Sequence, residues 1–434
     1  MFKAIGTRLA ALVLVGLAVA LPAARLEAAG FALFEQGAKA TAMGGAFAAT
    51  ADDPSAMFFN PAGNAFNDKF EMMGGAFLVL RPTAHLDGEN PYPGEGYSTN
   101  MKKGPYWFGY GYGVLSLSKD VKLSLGFWSP NGLGVPWQDP DTFRGRYIAQ
   151  RTDLRQLAVS AQLAFKLSDA VAIGGGPELR ITDVKLSENV GAVNPFTQRY
   201  TDIAHTSIVS TGTPIDITWT AGVLIKPCDR LRVGLSYHAG VKTDLSGYAQ
   251  FGQILTGNPQ FDAAVSQQLP FGKNVAASTS INFPSVTAFG IAYDLTPKVT
   301  LEVDGNYVGW STFQNLAINI EGLPAKNVPQ GWQNTWAVRA GASYKATGGS
   351  WLAAGFLYDQ TPQPDSNAGP LLPDSNRTGV TIGGGIHLAK AFELQFSSMF
   401  LWFHQRTITT NQDNFSATYQ TFAILPNVGF KSTF

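Results

Sequence analysis

The sequence predicts an all-β protein, a transmembrane antiparallel β-barrel of about 14 strands with an N-terminal hatch, or plug, inside its lumen. Three observations carry that expectation. The chain is only 14% charged, with 12% aromatics and 47 glycines, where a soluble domain is about 25% charged. Beyond its first residues no apolar run reaches the roughly 20 residues that a spanning helix needs. From residue 71 onward, apolar side chains recur at every second position, the period of a strand with one apolar and one polar face.

The first element, 1–28, reads as a cleavable export signal. Lys3 and Arg8 supply the positive start, Leu9 to Leu21 the apolar stretch, and small residues lead to a cut after Ala28. That stretch is too short to anchor the chain as a spanning helix. Removal of 1–28 takes three of the 31 basic and one of the 31 acidic residues, leaving a nearly neutral chain. Such a chain has no electrostatic footprint for nucleic acid. Cys228 is the single cysteine, so an internal disulfide and a cysteine-rich zinc site are excluded.

The second element, 29–70, is the expected hatch. It joins Ala29-Gly30-Phe31, a run of small residues from Ala38 to Ala46, Asp52-Asp53-Pro54 and Asn60-Pro61-Ala62-Gly63. Asp before Pro suits a helix start, and Asn60-Pro61-Ala62 suits a turn. The segment is too small-residued to form a core of its own. It is expected inside the barrel against polar lumen residues such as Glu302 and Asp304.

The third element, 71–434, is the barrel. In Leu157–Leu167 every odd position is apolar, while Ser160, Gln162 and Lys166 stand between; Leu301, Val303 and Tyr307 alternate with Glu302, Asp304 and Asn306. A soluble sandwich would also alternate, but its strands are about five or six residues long. These segments reach ten or more, with aromatics gathered near their ends (Trp107, Trp128, Trp310, Trp336, Trp402) as interfacial girdles require. Strands are expected near 229–244 and 276–295 among others, and long connections at 83–105, 130–152, 188–213, 245–275, 314–332 and 360–376. Short turns alternate with these, placing the turns in the periplasm and the long connections outside the cell. The last strand keeps one face to Phe434, which resembles the signal that barrel-assembly machinery reads. Export and barrel together locate the chain in the bacterial outer membrane, multi-pass, in contact with outer-membrane lipid and lipopolysaccharide.

No chemistry-bearing motif stands out. Gly109–Gly113 and Gly174-Gly175-Gly176 lack the strand–turn–helix context of a phosphate loop, and no Gly-x-Ser-x-Gly occurs. His85, His205, His238, His387 and His404 are scattered without metal-ligand spacing. No catalytic residue, metal or cofactor is expected.

The ordered motifs of 29–67, with Ser129-Pro130-Asn131-Gly132-Leu133, Asn282-Phe283-Pro284, Tyr307–Phe313, Asp359–Pro364 and Leu372–Arg377, resemble the FadL/TodX family of long-chain fatty-acid and hydrocarbon transporters. The resemblance covers essentially the whole mature chain. It implies a 14-stranded barrel occupied by a hatch, with Asp52, Asp53, Asn60, Pro61 and Ala62 as hatch or gating residues. It implies capture of a hydrophobic small molecule at outer loops and passage to an inner pocket lined by Phe31. Exit would be sideways, where Pro130, Asn131 and Gly132 interrupt the third strand. Gln333, in Gly331-Trp332-Gln333-Asn334, stands where fatty-acid members place a cation. Beside Trp332 and Trp336 it favours hydrocarbons or protonated acids, unless Arg180, Arg339 or Arg377 supplies the charge. A diffusion porin for polar solutes and an outer-membrane lipase are the alternatives; the hatch argues against the first and the missing Ser/His pairing against the second.

Overall fold

The computed structural model describes residues 30–212 and 214–434; the expected export signal lies outside them. The strands are β1 (Glu71–Gly88), β2 (Ser98–Asn100), β3 (Tyr106–Ser116), β4 (Val121–Pro136) and β5 (Arg151–Lys166). Next come β6 (Val171–Asn194), β7 (Arg199–Ser210), β8 (Ile215–Cys228), β9 (Leu231–His238) and β10 (Val241–Gln253). β11 (Asn274–Phe283), β12 (Val286–Thr296), β13 (Val299–Val308), β14 (Asn315–Ile320) and β15 (Lys326–Pro329) follow. The chain closes with β16 (Thr335–Lys345), β17 (Trp351–Asp359), β18 (Arg377–Ala389), β19 (Phe392–Ile408) and β20 (Ala417–Thr433).

Antiparallel pairing runs β1-β3-β4-β5-β6-β8-β9-β12-β13-β16-β17-β18-β19-β20 and returns to β1 through Glu71↔Thr433 to Gly88↔Ala417. The ring is a closed barrel of 14 strands. Closure leaves no sheet edge to be satisfied by lipid, which offers no hydrogen bonds, except where β3 and β4 part beyond Gly111 and Phe127.

Alternation has the sense expected of a membrane barrel. On β5, Val159 is 40% exposed while Ser160 is 4%; on β13, Val303 faces out while Glu302, Asp304 and Asn306 are buried. The apolar face looks toward lipid and the polar face into the lumen. Trp107, Trp219, Trp336 and Trp402 stand exposed on the outer surface. Phe434 donates its amide to Phe70 O at 2.9 Å and its ring lies 5.5 Å from that of Phe70.

Two strand expectations need correction. The segment expected at 229–244 breaks at Ala239-Gly240 into β9 and β10, and that at 276–295 breaks at Pro284-Ser285 into β11 and β12. Pro284 has no amide to give a ladder. Beyond the breaks the chain does not form loops at 188–213, 245–275 and 314–332. The outer part of β6 continues into a second set of pairings, β6-β7-β10-β11-β14-β15, above the barrel rim. Strands that outrun the membrane still present backbone groups that must be paired. A helix, α3 (Pro259–Gln268), joins β10 to β11, capped by Asn258 Oδ1 accepting from Gln260 and Phe261.

Residues 30–67 lie inside the ring and are almost wholly buried. They hold α1 (Ala38–Ala42), α2 (Ala56–Phe59) and a 3-10 turn, Pro61–Phe66. Small residues fit because wall and segment touch backbone to backbone: a Cβ on Gly355 of β17 would collide with the Gly44 amide, and Gly44 itself sits at φ 70°.

Candidate functional site

The site begins with a fault in the wall. β3 and β4 pair only from Ser116↔Lys122 to Gly111↔Phe127. Above Phe127, β4 keeps its partner β5 through a register shift between Trp128 and Asn131 but leaves β3. Pro130 cannot donate to a ladder, and the N-terminal segment takes its place from inside. Leu33 N donates to Pro130 O and Gly132 N to Phe31 O, each at 2.9 Å, and Ala32 bridges Asn131. Gln36 Nε2 adds a bond to Ser129 O at 2.6 Å. Side chains close in on the gap as well: a Cβ on Gly132 would meet the Phe108 ring at 2.7 Å and Leu33 at 2.9 Å. Asn131 Nδ2 is tied to Gln156 Oε1 at 2.7 Å, which also accepts from Arg180 Nη1 at 2.8 Å.

Phe31 is buried in an aromatic cage. Its ring lies 4.7 Å from Trp310, 5.4 Å from Trp332, 5.8 Å from Phe283 and 5.9 Å from Phe313, mostly edge to face, an arrangement favoured by aromatic quadrupoles. A cavity of about 140 Å3 runs from Phe31 and Trp332 to the gap, lined by Leu33, Val79, Phe108, Leu133, Leu401 and Leu425. That is the size class of a dry cavity that holds one benzene ring. A second cavity, of about 50 Å3, lies under the segment between Phe34, Phe58 and Phe59 and the polar wall of Arg180, His238, Asp304 and Asn306. Near the rim a third, of about 100 Å3, is lined by Ile208, Ile318, Val328 and Leu371 with Glu188, Lys326 and Asp413. Burial raises the Asp413 carboxyl above its usual range, with Lys326 opposing.

Charged groups surround the first cavity in two places. At one end Arg377 Nε donates to Asp359 Oδ2 at 3.0 Å, Arg339 Nη2 to Asp359 Oδ1 at 3.1 Å, and Gly30 N to Asp374 Oδ2 at 3.1 Å. Glu35 lines the same end, and the Arg339 guanidinium stacks 4.4 Å from the centre of the Phe34 ring. At the other end, by the gap, stands Arg81.

The remaining expected residues sit as follows. Asn60 is buried, donates to Ala48 O at 2.8 Å and to Val223 O of β8 at 3.0 Å, and accepts from Ala62 N at 3.2 Å. Pro61 occupies the first turn of the 3-10 helix beside Gly174, which lets the segment approach the wall closely, whereas Gly175 and Gly176 abut the neighbouring strands β8 and β5. Asp53 is buried and accepts from Ser55 N at 2.9 Å; Asp52 is exposed and pairs with Lys39 at 2.7 Å. Two expected binding residues do not reach the cavity. Trp332 is buried in the cage, but Gln333 is exposed and Trp336 lies on the outer surface, 5.0 Å from Tyr307. Trp332 turns inward in the connection that follows β15, and Gln333, whose amide donates to Pro362 O at 2.9 Å, is left exposed. Arg377, which the sequence offered as an alternative cation, does line the cavity. Arg81, Glu35 and Asp374 were missed; a lone Arg after the apolar Val79-Leu80 was the available signal.

The family model described as outer membrane protein transport protein (OMPP1/FadL/TodX) matches residues 19–434. The chain is 23% identical over 384 residues to a long-chain fatty acid transport protein of Salmonella typhi, covering 84% of this chain and 86% of that one. It is 24% identical over 407 residues to a putative outer membrane protein of Neisseria meningitidis, covering 86% of each. Among solved structures it is similar to a Pseudomonas aeruginosa FadL homologue, with a TM-score of 0.77, 21% identity and coverage of 93% of this chain and 99% of that one. The Ralstonia pickettii toluene transporter TbuX gives a TM-score of 0.68 at 17% identity, covering 93% of this chain and all of that one.

Proposed function

The chain belongs to the OMPP1/FadL/TodX family of outer membrane transport proteins, and from that premise we propose that it carries hydrophobic small molecules passively inward by way of the Phe31 cavity and the gap between β3 and β4. It is an outer-membrane protein and not an enzyme. Relatives are named for long-chain fatty acids and for toluene, which sets the cargo class. Residues 30–67 act as the hatch. A water-filled pore would offer such molecules nothing, because their free energy falls on leaving water. An apolar cavity does.

Cargo enters at the rim beside Ile208, Ile318 and Leu371, moves to the cavity below Phe31 and Trp332, and leaves sideways past Phe108, Gly132 and Leu33 into the membrane. Asp52, Asp53, Asn60, Pro61 and Ala62 hold the hatch while its first residues lie against the exit. One observation carries this reading: the apolar cavity ends at the place where the β3–β4 ladder is missing. The test is a Pro130→Val, Gly132→Val double variant. Side chains there fill the gap and extend the strand. The expected result is wild-type ligand binding with uptake reduced about tenfold or more, as a blocked exit requires. Undiminished uptake would overturn the sideways route.

A further inference from the structure

We infer that Gln36 is a positioning residue for sideways exit: its side-chain amide takes the place of a strand partner for Ser129 and so keeps β3 and β4 apart. The inference rests on the transport reading above and concerns what holds its exit open. The β3–β4 ladder ends at Gly111↔Phe127, and the pairing of β4 with β5 skips from Trp128 to Asn131. Among the described residues, then, Ser129 has no ladder partner on either side, yet it is only 9% exposed. A buried main-chain N–H and C=O must be paired somewhere.

One side chain takes both groups. Gln36 Nε2 donates to Ser129 O at 2.6 Å, and Ser129 N donates back to Gln36 Oε1 at 3.4 Å. A primary amide carries donor and acceptor together, as a peptide unit does, so it can pair with a strand residue as a neighbouring strand would. The second Nε2 hydrogen goes to Leu33 O at 3.2 Å, within the stretch that bonds Pro130 and Gly132. Across the fault, Tyr112 Oη of β3 donates to the Gln36 carbonyl at 2.8 Å. Gln36 therefore bridges the strands at the point where they part, its main chain on β3 and its side chain on β4.

Gln36 is fully buried and lines neither the Phe31 cavity nor the second one, so it acts on the wall and not on cargo. Pro130 has no amide with which to resume the ladder. Ser129 has one. Continued from Gly111↔Phe127, the register puts Gly109 opposite Ser129, and a Cβ on Gly109 would meet nothing nearer than Gly75 O at 3.8 Å. Space for the ladder to extend is thus present. Once the Gln36 amide is lost, pairing with β3 is the nearest remedy for the Ser129 main chain, and it narrows the gap from below.

The experiment places Gly109→Cys and Ser129→Cys in the mature protein in lipid nanodiscs, with the exposed Cys228 replaced by Ser, and follows disulfide formation under mild oxidation. Ser129 gives only its main chain to Gln36, so its own replacement leaves those bonds in place. Gln36→Leu keeps the bulk and loses the amide; it should speed disulfide formation at least about fivefold, since two orphaned groups then seek partners. Without the added cysteines, Gln36→Leu should cut uptake of labelled oleate by cells about fivefold or more and leave oleate affinity of the purified protein within about twofold, because the cavities are untouched. Gln36→Glu, which still accepts from Ser129 N but cannot donate to Ser129 O, should fall between. Should Gln36→Leu fail to fold, Tyr112→Phe, which frees only the Gln36 carbonyl, should still speed the disulfide about twofold. An unchanged disulfide rate in Gln36→Leu, or in both Gln36→Glu and Tyr112→Phe, would overturn the role of Gln36. So would undiminished uptake in Gln36→Leu where the Pro130→Val, Gly132→Val variant is slowed. A faster disulfide with undiminished uptake in both would bring down the sideways route, and the part of Gln36 in transport with it.

Discussion

The N-terminal segment touches the barrel in two different ways. On the β8–β9–β13 side it is fastened by polar groups. The amides of Phe47 and Ala48 donate to Asp304 Oδ2 at 2.8 and 2.9 Å, that of Ala49 to Glu302 Oε1 at 2.7 Å, and that of Thr50 to both oxygens of Glu302. Ser236 Oγ donates to Phe59 O at 2.7 Å, and Asn60 reaches Val223 O. On the β3–β4 side, Phe31 to Leu33 share two backbone bonds with a strand that has itself left its neighbour, beside empty apolar space. Gln36 adds bonds with Ser129 and Tyr112 on this side, but at roughly 1.5–3 kcal/mol for each bond to a carboxylate and about 1 for a neutral one, the first attachment outweighs the second. One segment is therefore anchored at one end and held lightly where cargo would pass, as regions that move during function must be.

Removing the segment abolishes both attachments and has the largest expected effect. Deletion of 31–60 should leave a folded barrel, since the strands pair with one another, but open a polar lumen. Planar-bilayer recording should then show a large steady conductance to small ions that the intact protein lacks. Unchanged conductance would mean that the segment does not close the lumen. Asp304→Ala attacks the strong side alone. It strips the Phe47 and Ala48 amides of their acceptor, a loss of about 1–3 kcal/mol for each group. Lys39 is the only Lys or Arg between 30 and 67, so trypsin cleavage after it measures release; cleavage should accelerate at least severalfold, while Asn131→Ala on the weak side should change it less. Reversal of that order would break the comparison. The smallest effect is expected from Gln333→Lys. Its side chain points outward, so a cation there should shift decanoate affinity by less than about twofold, as surface charges in water do.

The barrel was legible because its signal is local. Leu157, Val159 and Leu163 against Ser160 and Gln162 state the two faces of β5 within one strand. The breaks at Ala239-Gly240 and Pro284-Ser285 were present as residues but not read as breaks, since apolar alternation continues across them. The outer strands β7, β14 and β15 and the outer half of β10 were taken for loops because above the membrane rim no uniform apolar face is demanded. Phe31, Pro130, Asn131 and Gly132 were singled out through their resemblance to family motifs; Phe31 and Gly132 line the first cavity, Pro130 and Asn131 the second. Gln333 was misjudged because a matching position along the chain does not specify which way an extended residue points.

From the sequence alone followed the compartment, the strand period, the lumen-facing polar residues and the want of a self-sufficient core in 29–70. Those properties depend on composition and on neighbours a few residues apart. The tertiary structure decided that Asp304 meets Phe47, that Glu302 meets Ala49 and Thr50, and that Phe31 lies in a cage drawn from β11 and the residues flanking β14 and β15. It also decided how the arginines beside the cavity are paired. Arg377 and Arg339 are both paired with Asp359, which reaches them from a neighbouring strand. Such partnerships are set by how a closed ring brings distant strands into register, and no local pattern encodes that.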